Sequence, residues 1–462
     1  MAVLKAELSQ KDKKFREMSL NGDMWRVVFY MCIPLGVYQL ATQLFRVLDT
    51  MMAAHISTAS ISAVTYLSQI TMMLSAVGGG LAVGAGIKIS EAYGAGDYRL
   101  VRSRVSSLYA IIGIISVVVL AGILPFTDKF LILAGTPTEL ISQGRNYFII
   151  DLIATVVGCF NNVYLAVERT RGNSKRILII NMAVIIVKFA LTAFFIYGMN
   201  GNINHIAGAT LIAQLLMFVI AMFNMYSKDN AFGFSLKAVS FRKDISGPMA
   251  KLSVPVMSEK LAFSFGKVII NIMSKDYGTN TVGALGVSNM IGGATTSTQN
   301  GFQEGGASII SQNLGAKKYD RAVDAFKKLL IINVIIGTFG FIITTVFLEG
   351  ISSVFSKNDE SFRVLVTHIY RYEAFGAITL GINASVMALL YGMGLTKLTL
   401  ILNVCRVFVF RVPVLWFLQK FTDIGSDSVG IVMMVSNVSV GIVAGITAII
   451  VLKRFRSYVK FQ

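Results

Sequence analysis

The sequence predicts an all-α polytopic membrane protein with twelve transmembrane helices in two six-helix lobes related by a parallel internal repeat. Three observations predict it. Hydrophobic residues make up 55% of the 462-residue chain and charged residues 14%, with a mean hydropathy of +0.68, whereas an ordinary soluble domain carries about 25% charge. Apolar runs of roughly 20 to 30 residues recur between charged clusters, each long enough to cross a hydrocarbon core about 30 Å thick. The chain also repeats itself: at an offset of 221, Pro34 falls on Pro255, Ala63 on Ala284, Gly80 on Gly301, Gly84 on Gly305, Ser90 on Ser311 and Tyr98 on Tyr319.

The repeat continues at an offset of 222, where Gly172, Lys175 and Asn181 meet Gly394, Lys397 and Asn403. Solenoid units run about 20 to 50 residues, so this period marks a duplicated half. A polar segment, 1–24, precedes the N-lobe, 25–227, whose spans are expected at 25–52, 60–88, 102–125, 139–166, 176–198 and 205–227. A linker, 228–247, leads to the C-lobe, 248–452, with spans at 248–274, 281–312, 325–348, 364–392, 398–419 and 428–452, and a tail, 453–462, follows. An even number of spans per copy makes both halves enter the membrane from the same side, which is a parallel repeat. Pro34, Pro255 and Pro413 mark helix starts or kinks. The glycines 78–80, 84 and 86 in the second span, and 301, 305 and 306 in the eighth, suit close helix packing, with hinging as the alternative.

Charge orients the spans. With the N-terminus inside, 28 of the 42 lysines and arginines fall in inside segments, and five, Lys129, Lys275, Lys357, Arg363 and Lys420, fall in outside loops. That asymmetry predicts both termini in the cytoplasm. It also accounts for the +18 net charge without a nucleic-acid partner. No apolar core with a small-residue cleavage site follows the N-terminus, so no removable signal is expected. Cys32, Cys159 and Cys405 are isolated within spans, and with three scattered histidines they form no metal spacing. Neither a phosphate-binding glycine motif nor a nucleophile–base set is present, which places an intramembrane enzyme last among the readings.

The stretch Pro34 to Asp49 (PLGVYQLATQLFRVLD), the glycine-rich second span closing on Ser90 to Asp97 (SEAYGAGD), and the later segments Arg171 to Lys175, Tyr391 to Lys397 and Arg411 to Pro413 resemble the ordered signatures of the multidrug and toxic compound extrusion (MATE) transporters. The resemblance covers essentially the whole chain. It implies a cation-coupled (H+ or Na+) antiporter in the plasma membrane. Such a protein exports amphipathic small molecules by alternating access through a cavity between the lobes, acting as a monomer with no cofactor beyond the coupling ion.

The intramembrane polar residues can be read without that analogy. Nine cations, Arg46, Lys88, Arg145, Lys188, Lys260, Lys267, Arg371, Arg406 and Arg411, and five acids, Asp49, Asp151, Glu259, Glu304 and Glu373, lie near or inside spans. An ionised side chain at the midplane costs at least ~2.5 to 3.5 kcal/mol, so such groups face a wet cavity or a partner. The resemblance points to Asp49 as the coupling acid. To take a proton near pH 7 its pKa must rise about three units, roughly 4 kcal/mol, while a cation within ~4 to 6 Å opposes that rise. A contact with Arg46 or Lys188 must therefore break in one state, unless Asp49 and Arg46 form only a structural i,i+3 pair. The fifth span carries Asn181, Ile185, Lys188 and Thr192 on one stripe. Lys188 stands about where one branch of the family carries an acid. It is a counter-ion for Asp49, a competitor with substrate for it, or a structural partner.

For the substrate cavity the candidates are Lys260, Lys267, Glu259, Gln303, Glu304, Arg406, Asp151 and Glu373. Lys267 is the repeat partner of Arg46, Asp151 of Glu373, and Asn161 of Asn383. Glu259, Glu304 and Glu373 are placed to neutralise Lys260, Lys267, Arg406 and Arg411, either as a network holding helices in register or as a substrate site. The glutamate that one bacterial branch of the family carries in its seventh span falls here on Phe263, and the aspartate of its tenth span falls near Leu380, which favours protons over sodium. The alternative to drug export is a flippase of a lipid-linked anionic amphiphile, with Arg46, Lys260, Lys267, Arg406 and Arg411 gripping phosphate.

Overall fold

A computed structural model describes residues 7–56, 58–134, 136, 138–226, 230–356 and 359–460, without the side chains at 47, 49–63, 65, 66, 69, 138–140, 143, 279 and 458–460. Of the charges named above, Lys357 and the side chain of Asp49 lie outside the described residues. The described chain is helical, with one isolated bridge between Glu7 and Asn230.

The helices run in order as α1 (Gln10–Asn21), α2 (Met24–Ile56), α3 (Thr58–Ala95), α4 (Tyr98–Ile123), α5 (Thr127–Leu133), α6 (Thr138–Thr170), α7 (Ser174–Ala193) and α8 (Ile203–Met225). The second copy follows as α9 (Ser246–Ser274), α10 (Thr279–Gly315), α11 (Tyr319–Val346), α12 (Leu348–Ser356), α13 (Glu360–Ala374), α14 (Gly376–Gly392), α15 (Thr396–Phe408), α16 (Val412–Phe421) and α17 (Asp427–Lys460). Among the described residues, nine helical spans are long and apolar enough to cross a membrane, and α13 with α14 makes a tenth, bent by 47°. The two long helices α9 and α10 complete the twelve. They are too polar for a hydropathy test, because α9 carries Lys251, Glu259, Lys260 and Lys267, and α10 carries the run from Thr295 to Asn300 with Gln303 and Glu304.

The turns repeat with the sequence. Gly172 and Gly394 both adopt positive φ, +74° and +72°, and Gly96, at +82°, has as its counterpart Lys317, at +59°. Lysine accepts that left-handed conformation at a cost that glycine does not have. Pro34 and Pro255 lie inside α2 and α9, while Pro413 starts α16 after a break at Val409–Arg411.

By compactness the chain forms two units, Met1–Glu17 with Leu44–Met257, and Met18–Gln43 with Ser258–Gln462. They follow contact rather than chain order, so α2 and α9 each divide between them. Glycines explain why. Within the first unit, a Cβ at Gly80 would stand 2.7 Å from the Cα of Met257, and one at Gly84 would meet the Ser253 backbone. Within the second, a Cβ at Gly301 would stand 2.5 Å from the backbone nitrogen of Gly36, and one at Gly305 would stand 2.7 Å from the Sγ of Cys32. Met257 is the repeat partner of Gly36 and Ser253 of Cys32, so the same close contact is made twice, each time by the first part of α2 or α9. Such backbone approach supplies dispersion contacts where lipid gives helices no hydrophobic reason to associate.

Each unit has its own core. Leu67, Leu131, Tyr147, Phe148, Leu152 and Ile203 pack together in the first, and Ile270, Leu285, Val366, Ile369, Tyr370, Leu415 and Val432 in the second. Val117, Val118, Phe223 and Phe339 are exposed, as lipid-facing residues must be. Hydroxyls within the spans bond to the carbonyl one turn back, as Thr210 does to Ile206, Thr338 to Val334 and Thr447 to Val443. That satisfies them without water.

Candidate functional site

Three polar clusters sit within the spans, each with at least one buried member. In the first unit, Thr71 on α3 donates to Asp151 on α6 at 2.6 Å, and the ammonium of Lys188 on α7 acts on the same carboxylate. In the second unit, Ser288 on α10 donates to Glu373 on α13, whose carboxylate also feels Arg411, Arg406 and Lys267. Asp151 and Glu373 occupy the same place in the two copies. Each lobe thus holds a hydroxyl from its second span, an acid from its fourth and a cation from its fifth. The hydroxyls themselves are not repeat partners. Thr71 corresponds to Gly292, one helical turn beyond Ser288.

The copies differ in charge. Around Glu373, Arg406 donates to Asn437 Oδ1 at 2.7 Å, and Arg411 donates to the same oxygen at 3.3 Å and to Ser436 at 3.1 Å. Sharing one acceptor keeps those two guanidinium nitrogens within about 6 Å of each other, a repulsion of about 3 kcal/mol at an effective dielectric of about 20. Phe263 presents its ring to all three cations, with Lys267 at 5.1 Å, Arg406 at 5.2 Å and Arg411 at 6.0 Å from its centre. Glu373 sits at the α13–α14 bend and Arg411 in the break before α16, whereas Lys267 and Arg406 project from within α9 and α15.

The third cluster surrounds Glu259 on α9, which is 5% exposed. Its Oε1 accepts from Tyr391 at 2.7 Å and Asn403 at 2.7 Å, and its Oε2 from Thr399 at 2.6 Å. Three neutral donors therefore satisfy the carboxylate, and the charge of its neighbour Lys260 acts on it as well.

The predicted substrate-cavity residues thus fall into separate groups. Asp151 lies in the first unit with Lys188. Glu373, Arg406 and Lys267 form one cluster of the second unit. Glu259 and Lys260 form another, where the charges of Glu259 and of half-buried Glu304 both act on Tyr391. Gln303 is half-buried one residue away on α10. Of the predicted coupling residues, Arg46 is exposed on α2, and buried Asn181 donates to the Ile177 carbonyl of its own helix at 2.7 Å. The side chain of Asp49 is outside the described residues. The repeat-paired asparagines are both buried, and Asn161 donates to Gln214 of α8 at 2.7 Å. A cavity of about 270 Å³ lined by Asn280, Phe362, His368 and Asp427 contains none of these groups.

Thr71, Ser288, Thr399, Ser436 and Asn437 were not singled out from sequence, and Tyr391 was named only as the start of a family-like segment. The pair Ser436–Asn437 had a signal, a polar dipeptide in the middle of an apolar 34-residue helix. The polar N-terminal segment held another surprise. Asp12 on α1 and Glu168 on α6 are both fully buried, and Arg171 bridges them at 3.1 and 2.9 Å. Burial alone lowers the pKa of Arg171, but the charges of Glu168 and Asp12 more than offset this, and it stands above that of an ordinary arginine.

The family model described as MatE matches residues 34–194 and 255–417, one segment in each copy of the repeat. The probable multidrug resistance protein YoeA of Bacillus subtilis (strain 168) is 22% identical over 414 residues, covering 87% of this chain and 88% of its own. The multidrug export protein MepA of Staphylococcus haemolyticus (strain JCSC1435) is 21% identical over 404 residues, with coverage of 87% and 88%. Among solved structures, the outward-facing conformation of a multidrug resistance MATE family transporter of the MOP superfamily superposes with a TM-score of 0.90 at 18% identity. It covers 97% of this chain and 99% of that one.

Proposed function

This chain belongs to the MatE family of membrane transporters, and we propose on that footing that it is a secondary active antiporter exporting amphipathic organic compounds in exchange for H+ or Na+. The relatives named for multidrug resistance and multidrug export support that class of cargo. The observation that carries the coupling half of the reading is the Thr71–Asp151–Lys188 group, a carboxylate and an ammonium held within apolar spans. A third charge entering such a pair at membrane depth shifts its balance, because screening there is weaker than in bulk water.

Asp49 supplies that third charge in the proposed cycle. Ionised, it competes with Asp151 for the ammonium of Lys188; neutralised by the coupling ion, it leaves Lys188 to Asp151. Each state of Lys188 favours one of two conformations, inward-open or outward-open, and the difference in its binding between them is the coupling free energy. Arg46 on the first span and Asn181 on the fifth belong to the same proposed coupling group. The protein acts as a monomer in the plasma membrane with both termini cytoplasmic.

Proteoliposomes containing a cationic or an anionic dye test the export reading. Dye movement against its gradient under an imposed ion gradient is the expected result. Absence of dye movement together with scrambling of a labelled phospholipid would overturn export in favour of the flippase.

A further inference from the structure

We propose that the cluster formed by Lys267, Arg406 and Arg411 around Glu373 binds the anionic head group, a carboxylate, sulfonate or phosphate, of the transported amphiphile. The proposal rests on the exporter reading and assigns the chemistry of its cargo.

Charge is the first argument. Three cations meet one carboxylate, and the acceptors that hold the two guanidinium groups in place are the neutral oxygens of Asn437 and Ser436. The excess is specific to this copy of the repeat. At the equivalent positions of the N-lobe, Arg46 stands for Lys267, Val184 for Arg406, Phe189 for Arg411 and Asp151 for Glu373, so one cation there meets one acid. Two guanidinium groups within membrane spans share this one carboxylate, and an anion would balance the second of them.

Donor geometry is the second argument. The Nε of Arg406 is buried and has no hydrogen-bond partner among the described residues, although its Nη2 is engaged. Guanidinium groups bind oxyanions through pairs of adjacent donors, so an unused Nε beside a held Nη2 is half of such a fork. Access is the third. Glu373 and Arg411 are buried, Arg406 and Phe263 are half-buried and Lys267 is exposed, so the cluster grades from a closed floor to an open side. Phe263 sets an aromatic surface beside the charges, as an amphiphile with an apolar body requires.

The test uses the full-length protein in nanodiscs of zwitterionic lipid, with 8-anilinonaphthalene-1-sulfonate as anionic probe and ethidium as cationic probe, each followed by fluorescence anisotropy. Wild type is expected to bind the sulfonate. Arg406→Gln should weaken that binding at least about tenfold, Arg406→Lys should recover only part of it because an ammonium lacks the fork, and neither should change ethidium binding. Competition separates the sources of the anion. Displacement by a short-chain alkyl sulfonate and not by inorganic phosphate marks an amphiphile head, whereas displacement by inorganic phosphate alone, or by phosphatidylglycerol added to the nanodisc, would overturn the assignment to cargo. Unchanged sulfonate binding in Arg406→Gln, or equal losses for both probes, would overturn the site itself. Wild-type protein that binds the sulfonate through Arg406 but moves neither ethidium nor the sulfonate in proteoliposomes keeps the site and removes the exporter reading; protein that exports ethidium without binding the sulfonate does the reverse.

Discussion

Substituting alanine for each of the four repeat-paired glycines should separate two kinds of close packing that the sequence writes identically. At Gly80, Gly84 and Gly301 an added Cβ meets backbone atoms of Met257, Ser253 and Gly36, while at Gly305 it meets the Sγ of Cys32 at 2.7 Å. Backbone can yield only by moving a helix, and overpacking of that kind costs about 1 to 3 kcal/mol. Alanine returns about 0.5 to 1 kcal/mol of helix propensity at each position. Gly80→Ala, Gly84→Ala and Gly301→Ala should therefore each lose roughly 1 to 2 kcal/mol. Gly305→Ala should stay within about 0.5 kcal/mol of wild type, because the thiol can rotate away. Unfolding midpoints in detergent, with monodispersity checked by size exclusion, give the ranking. If Gly305→Ala proves as damaging as its three counterparts, or remains so in a Cys32→Ala background, the packing argument fails.

Glu259→Gln should unfold within about 1 kcal/mol of wild type, since Oε1 keeps Tyr391 and Asn403 while Thr399, which also donates to the Thr396 carbonyl at 2.9 Å, can accept from the new amide. Glu259→Leu should lose several kcal/mol by stranding those donors, and similar midpoints for the two variants would contradict this. Arg171→Gln leaves two buried carboxylates facing each other and should destabilise by about 3 to 5 kcal/mol; a thermal shift no larger than that of a surface arginine would count against the pair. Lys188→Ala and Asp151→Asn should couple in a double-mutant cycle by about 0.5 to 3 kcal/mol, and additive losses in stability would show that Lys188 is held elsewhere.

How far the fold could be read in advance depended on which signal each part offers. Ten of the spans announce themselves by hydropathy. α9 and α10 were placed as apolar runs with the rest and agree with the repeat, Pro255 and Gly301 sitting on Pro34 and Gly80, although Lys260, Lys267 and the Thr295–Asn300 run make those helices polar. The division of α2 and α9 between the compact units was not legible, since chain order says nothing of which neighbour a helix touches. The same limit governed the charges. Asp151 and Glu373 were matched by position, but their hydroxyl donors are displaced by a turn between copies, and the repeat alone pointed to Gly292 rather than Ser288. Asp12 was hidden for a different reason: its polar surroundings in the chain suggest solvent, and only the folded contact with Arg171 removes it from water.

Dye flux in proteoliposomes under separately imposed pH and sodium gradients, compared between wild type and Asp49→Asn, tests the proposed antiport most directly. One of the two gradients should drive concentrative export in wild type, and Asp49→Asn should abolish that dependence while leaving dye binding in place. Export that ignores both gradients, or that continues undiminished in Asp49→Asn, would contradict ion coupling through this acid.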